Sequence, residues 1–379
     1  MIPYHRICNT GKEIEYVNDS IKQGQLSGDG YYTKLVETFI SSRFKTGKVL
    51  MTTSATHALE MAMLIIGLKP GDEVIMPSFT FSSTANAVLL RGAKPVFAEI
   101  DEDTLNIDPT DLEKRISKNT KAIIPVHYAG VSCEMDRIMD LAEKAGLYVV
   151  EDAAQAVNSK YKGKYLGSIG HMGCYSFHGT KNYTCGEGGA LLINADDQSL
   201  LERADCIRQK GTDREKFLRG EVDNYSWVDI GSSYSPSDVL MAVLYAQLEY
   251  MDVITQKRRL VHEYYMSILK RYTEKQLLKV TKIPTGCESN YHIFYLLFKD
   301  ESTRTIVKEK LFNKGITALT PFVPLHSSLM GQSLGYRQGD LKKTEMAGKC
   351  LLRLPLYSDM SEEDMHYVGE QLMDILEGL

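Results

Sequence analysis

Leu147-Tyr148-Val149-Val150-Glu151-Asp152-Ala153-Ala154-Gln155 places four apolar residues ahead of two acids and a run of small residues. A continuous apolar run of this length predicts a strand buried on both faces. Residues 134–145 before it read as a helix, closed by Gly146, a usual C-cap residue. The same alternation extends back along the chain. Residues 56–68 predict a helix ending near Pro70-Gly71, 73–76 a strand, 82–90 a helix, and 95–98 and 122–126 further strands. Short apolar strands between helices predict an α/β fold with a mostly parallel central sheet covered on both sides. Around residue 237 the pattern changes. Long helices are expected over 237–251 and 255–272, a strand over 291–298, and helices over 303–313 and 361–376. Ser361, followed by Glu362, Glu363 and Asp364, suits the positive end of that last helix. These shifts predict a large domain over residues 1–250 and a smaller C-terminal α+β domain over 251–379.

Composition narrows the function classes. A chain of 379 residues with 43% hydrophobic residues can bury a large core. The net charge of -5 does not suit a sequence-independent nucleic-acid binder, so none is expected. No run approaches the roughly 20 apolar residues of a membrane span, and the first residues lack the apolar core of a signal peptide. Seven scattered cysteines without a CxxC pair read as free thiols in a reducing cytoplasm. His171, Cys174, His178 and Cys185 cluster in sequence, but their spacing matches no common zinc pattern, so no metal is expected.

Three stretches carry chemistry. Asp152 follows directly on a strand, where open α/β sheets bind ligands beyond the carboxyl ends. It can pair with a protonated ring nitrogen of a cofactor that acts as an electron sink, or it can simply cap a helix. Gly173-Cys174-Tyr175-Ser176-Phe177-His178-Gly179-Thr180-Lys181-Asn182 runs from a strand into a loop bearing a lysine. A buried lysine loses its proton more easily and can form an imine with an aldehyde; an ordinary loop lysine stays solvated and charged. Gly186, Glu187, Gly188 and Gly189 then permit close backbone approach to a ligand. Thr52-Thr53-Ser54-Ala55-Thr56 precedes a helix, whose free N–H groups and hydroxyls suit a phosphate as well as a plain N-cap. Neither GxGxxG nor GK[ST] is present, so dinucleotide and P-loop readings lack their fingerprints.

Together these stretches resemble the DegT/DnrJ/EryC1/StrS family of sugar aminotransferases, of the pyridoxal-phosphate (PLP), aspartate-aminotransferase-like fold type I. The likeness covers nearly the whole chain. It rests on Gly71-Asp72-Glu73-Val74-Ile75-Met76-Pro77-Ser78, Glu151-Asp152-Ala153-Ala154-Gln155, and Ser176-Phe177-His178 with Lys181. Pro125-Val126-His127-Tyr128-Ala129-Gly130, Asp229-Ile230-Gly231-Ser232-Ser233-Tyr234 and Pro324-Leu325-His326 add to it.

The resemblance implies roles residue by residue. Lys181 would carry the cofactor as a Schiff base and shuttle protons. Asp152 would pair with the pyridine nitrogen and Gln155 contact the ring hydroxyl. Phe81 would stack on the ring face, although read alone it would go to the core. Ala55, Thr56 and Ser176 would hold the cofactor phosphate. Many family members place an Asn or Arg after the glycine matching Gly231, reaching the neighbouring subunit's phosphate. Ser233 and Ser235 stand there in this chain, which makes Ser233 the candidate. The resemblance further implies a homodimer that moves an amino group from L-glutamate to a nucleotide-linked 4-keto-6-deoxyhexose. It favours dTDP-4-keto-6-deoxyglucose, converted to dTDP-4-amino-4,6-dideoxygalactose. Amination at carbon 3, a UDP-linked sugar, or a sugar dehydratase on the same fold are the alternatives. Dehydratase relatives tend to carry a histidine at the lysine position, so Lys181 argues against the last.

Overall fold

A computed structural model describes residues 1–379. The large domain is built on a seven-stranded sheet. Its order is Lys48–Thr52, Gly189–Ile193, Met172–Ser176, Tyr148–Asp152, Thr120–Ile123, Glu73–Pro77 and Lys94–Ala98. All these strands run one way except Gly189–Ile193, which is antiparallel to both neighbours. The sheet is therefore mostly parallel, with helices on its faces. Met172–Ser176 and Gly189–Ile193 are buried along their whole length, which explains their continuous apolar or small residues.

The shared strand direction brings Thr52, Pro77, Asp152 and Ser176 to one edge of the sheet. The helices Ala55–Ile65 and Ser82–Leu89 start just beyond that edge. The reversed strand begins there with Gly189, where an added Cβ would lie 2.3–2.5 Å from the Ser54 and Ala55 backbone. A glycine at 189 is what allows the Ser54–Ala55 turn to lie against the sheet edge.

The C-terminal part is a three-stranded antiparallel sheet, Leu278–Val280, Phe294–Phe298 and Leu351–Leu354. The helices Met251–Glu274, Glu301–Asn313 and Glu362–Glu377 pack around it. Tyr265, Leu269, Phe294, Leu352 and Leu372 form its core. Ile2 belongs to the same cluster and pairs with Ile316, so the N-terminal residues lie on this smaller body. The helices Asp238–Glu249 and Met251–Glu274 meet at Tyr250. Ser361 caps the last helix by accepting from the Asp364 N–H at 3.0 Å.

Two element starts differ from the sequence reading by three residues or more. The strand expected from residue 291 starts at Phe294, because Tyr291 adopts a left-handed φ of 54°. The helix expected from 255 starts four residues earlier, at Met251. No helix is long and apolar enough to cross a membrane.

Candidate active site

The edge of the sheet opens into a cavity of about 390 Å³. Seven of the residues singled out in the sequence line it together: Ala55, Thr56, Phe81, Asp152, Gln155, Ser176 and Lys181. They come from four separate chain segments. Each lies within a few residues of a strand end or a helix start, so sheet topology alone gathers them.

Asp152 ends the strand Tyr148–Asp152 and is buried. Its backbone is anchored on both sides, with the Asp152 N–H donating to Pro125 at 2.9 Å and the His127 N–H donating to the Asp152 carbonyl at 3.2 Å. The Thr84 hydroxyl donates to the carboxylate at 2.8 Å and the Ala154 N–H donates at 3.2 Å. Thr80 in turn bonds Thr84 at 2.8 Å. Burial raises the Asp152 pKa; the Thr84 and Ala154 donors and the Lys181 ammonium oppose that rise. No cation is hydrogen-bonded to this carboxylate, so it is poised to receive one from the cavity.

Lys181 sits in the loop that leaves the strand Met172–Ser176. Gly179 N–H donates to Gly186 and Phe177 N–H to Gly188, both at 2.8 Å, which folds the loop back on itself. The Lys181 N–H donates to the His178 carbonyl at 2.9 Å. Its side chain forms no ion pair or hydrogen bond. Burial lowers its pKa to about 8 and Arg353 adds to the effect, while Asp152 opposes it. A lysine of this kind has a neutral, nucleophilic amine at an accessible pH.

The phosphate side is polar and compact. Ser54 caps the helix Ala55–Ile65, accepting from the His57 N–H at 3.1 Å. That leaves the first N–H groups of the helix facing the cavity. Thr56 and Ser83 share a 2.7 Å hydroxyl contact at the same end. The Gln155 side-chain oxygen accepts from the Ala129 N–H at 2.8 Å, so its amide NH2 is the part free to donate. Phe81 corrects the reading that would place it in the core. It is 57% exposed and stands at the cavity rim, 5.6 Å from the Phe322 ring.

Ser233 does not join the group. It lies exposed on the surface, and its backbone pairs with Gln209. Within one chain it does not reach the cavity. His171, Cys174, His178 and Cys185 do not converge either. His171 accepts from the Val149 N–H at the far end of the sheet, whereas His178 lines the cavity beside Lys181.

The sequence reading missed Thr84, Thr80, Phe322 and the half-buried His292. It also missed buried Arg353, whose guanidinium lies 4.8 Å from the Phe322 ring centre and donates to the Tyr128 hydroxyl at 3.1 Å. All of these reach the site through tertiary packing. A polar residue one helical turn into the segment after Phe81 was the available signal for Thr84.

A nucleophilic lysine, a buried carboxylate and a hydroxyl-lined helix start around one cavity define an enzyme site of the aminotransferase type, on a fold of the same class. Residues 8–373 match the DegT/DnrJ/EryC1/StrS aminotransferase family, and the chain belongs to it. It is 33% identical over 389 residues to the spore coat polysaccharide biosynthesis protein SpsC of Bacillus subtilis, covering 100% of this chain and 97% of SpsC. It is 32% identical over 372 residues to the GDP-perosamine synthase of Escherichia coli O157:H7, covering 98% and 97% respectively. The sugar aminotransferase Spr1654 of Streptococcus pneumoniae superposes with a TM-score of 0.92 at 26% identity, covering 100% of this chain and 98% of that one. Structures of Spr1654 in PMP and PLP forms match equally well, each with a TM-score of 0.92.

Proposed function

We propose that this sugar aminotransferase transfers the amino group of L-glutamate to dTDP-4-keto-6-deoxyglucose, yielding dTDP-4-amino-4,6-dideoxygalactose. The observation that carries the reading is Lys181, an amine with a depressed pKa sharing one cavity with the buried Asp152 carboxylate. The cofactor is pyridoxal phosphate, and the residues present fit it. The cavity offers a free lysine amine, a carboxylate without a cation, a free Gln155 amide and the start of an 11-residue helix. Ala55, Thr56 and Ser176 would hold its phosphate, Phe81 would cover one ring face, and Asp152 would meet the ring nitrogen.

When bound, the cofactor supplies an aldehyde that takes up an amino group and a ring that stores the electron pair left by proton removal. The protein does the rest. Asp152 supplies the fixed negative charge that keeps the ring nitrogen protonated. Lys181 would take a proton from the donor's α carbon and deliver one to the carbon on the other side of the transferred nitrogen. The same two transfers run in reverse on the keto-sugar. Phe81 and Phe322 flank the opening and limit water there.

The likeness around His127, Lys181 and Ser233 supports the 4-keto-6-deoxy sugar. A homodimer in the cytoplasm, with Ser233 of each copy directed to its neighbour's cavity, completes the reading. Incubation with glutamate and a panel of keto-sugar nucleotides, followed by NMR of the product, tests it. An amine on carbon 3, or reaction with UDP-sugars alone, would overturn the substrate assignment.

A further inference from the structure

Behind Lys181 lies a second chamber of only about 10 Å³, lined by Gln155, Ser176, Lys181, Asn182, Asn290 and His292. Its polar groups form a chain whose direction can be worked out. The Asn182 side-chain NH2 donates to the Asn290 backbone carbonyl at 2.8 Å, and a carbonyl can only accept. The other Asn182 atom is therefore its oxygen, an acceptor. It lies 2.8 Å from His292 Nδ1, so Nδ1 carries the proton. In a neutral ring that leaves Nε2 as a bare acceptor, and no side chain or backbone group bonds it.

The ring is held by more than this bond. Tyr291, just before it, has a left-handed φ of 54°, costly for an aromatic residue. The buried Arg258 fixes that backbone by donating to the Tyr291 carbonyl at 3.0 Å and the His292 carbonyl at 2.7 Å. Asn290 is bonded to the Gln155 and Val157 carbonyls, each at 2.9 Å, and its N–H donates to the Ser159 hydroxyl at 2.9 Å. Strain sustained by five bonds around one histidine marks a constraint that packing alone does not need. Burial pushes the His292 pKa well below its usual value, and the charges of Lys181, Arg258 and Arg353 and the nearby His5 push the same way. The ring stays neutral at working pH, which suits it to accept a hydrogen bond and not to carry a proton.

We propose that His292 is a positioning residue for Lys181: the amine, unbonded in the conformation seen here, turns within the shared chamber to donate to the His292 Nε2 once it has taken up a proton. The bond keeps the freed side chain at the cavity floor between its two proton transfers. It favours the ammonium that Lys181 becomes after taking the first proton. This inference rests on Lys181 being the cofactor lysine.

Two conservative substitutions separate positioning from packing. His292→Asn keeps an N–H where Nδ1 stood, so the Asn182 bond survives, but leaves nothing at Nε2. His292→Gln places an amide oxygen at the Nε2 position and gives up the Asn182 bond. In the loaded enzyme, His292→Asn should lower kcat by roughly tenfold or more with little change in the KM of either substrate, and His292→Gln should retain most of the rate. In the cofactor-free protein, the pH dependence of Lys181 reductive methylation, followed by peptide mass, should show its pKa falling by roughly one unit in His292→Asn and holding in His292→Gln. The reverse order, or equal behaviour of the two variants, overturns the proposal. Borohydride trapping of the cofactor on a peptide without Lys181 would instead overturn the underlying active-site reading, whatever the two variants do.

Discussion

Glu151 and Asp152 are neighbours on one strand, yet their carboxylates serve opposite faces of the sheet. The alternation of side chains along a strand requires this. Asp152 turns to the cavity and bonds Thr84 and Ala154. Glu151 turns away, accepts from the N–H groups of Gly167, Ile169 and Gly170 at 2.8, 2.7 and 2.6 Å, and pairs with His127 at 2.9 Å. One acid is left free for a ligand and the other is fully engaged in holding the fold.

Asp152→Asn should retain PLP but lose most transamination. An amide keeps the shape and the Thr84 contact, but lacks the charge that holds the ring nitrogen protonated. The loss should exceed roughly a hundredfold if that charge acts mainly in the transition state. Single-turnover rates of the folded, cofactor-loaded variant are the measurement. Near-normal turnover would remove Asp152 from this role.

Glu151→Gln should act on stability instead. The Cys133 N–H donates to His127 Nδ1 at 3.2 Å, so the His127 proton lies on Nε2 and points at Glu151. All four neighbours of the carboxylate are thus donors. A glutamine must turn its own NH2 toward at least one of them, leaving buried groups unpaired at a cost of about 2 kcal/mol. Urea unfolding of the cofactor-free protein should show that loss, and a variant as stable as the parent would contradict the assignment of donors.

These two acids also show what a sequence can disclose. Both belong to one short string after an apolar run, so the strand, its end and the candidate acid were all readable locally. Lys181 was readable for the same reason, being five residues past the end of a strand. The reversed direction of Gly189–Ile193 was not readable, because its apolar run looks like that of a parallel strand. Thr84 and His292 were not either. Thr84 looks like any helix residue until its helix is laid against Asp152. The left-handed Tyr291 hid inside a pattern that reads as continuous strand.

The Lys181 pKa of about 8 sets a pH dependence. The amine is protonated below that value and neutral above it. Cofactor uptake by the apo-protein should therefore speed up about tenfold per pH unit below pH 8 and level off above it. The stability sign follows from the same shift. Folding depresses this pKa from its unfolded value, so the folded chain binds fewer protons between pH 8 and about 10.4 and gains stability as pH rises through that window. Below pH 8 the full penalty of the buried charge remains. Lys181→Met should consequently stabilise the cofactor-free protein at pH 7, by about 1–3 kcal/mol in urea unfolding. An unchanged or lower stability would show that the amine is not desolvated there.

The subunit reading places Ser233 where only a second copy can use it. Ser233 is exposed and outside its own chain's cavity. Isologous dimers are the commonest oligomer and would present this segment to the neighbour. Sedimentation should show a dimer at assay concentrations, and Ser233→Ala should weaken PLP retention without altering the dimer. A fully active monomer would exclude any cross-subunit contact.

The remaining test concerns which lysine carries the cofactor. Lys162 and Lys164 are the rivals near in sequence. Both lie in the hairpin of Lys160–Tyr161 and Lys164–Tyr165, whose turn uses left-handed Lys162 and Gly163 with φ of 48° and 81°. Lys162 is exposed and ion-paired with Asp136 at 2.5 Å, an arrangement that holds its proton and makes it a poor nucleophile. Lys181 has the opposite environment, desolvated and without a partner. Borohydride reduction of the loaded enzyme should therefore fix the cofactor to the peptide containing Lys181. Lys181→Ala should still fold and hold PLP through phosphate and ring contacts, with turnover lost because no group remains to move the proton. Reduced cofactor on Lys162 or Lys164, together with full turnover in Lys181→Ala, would require a different active site from the one the cavity defines.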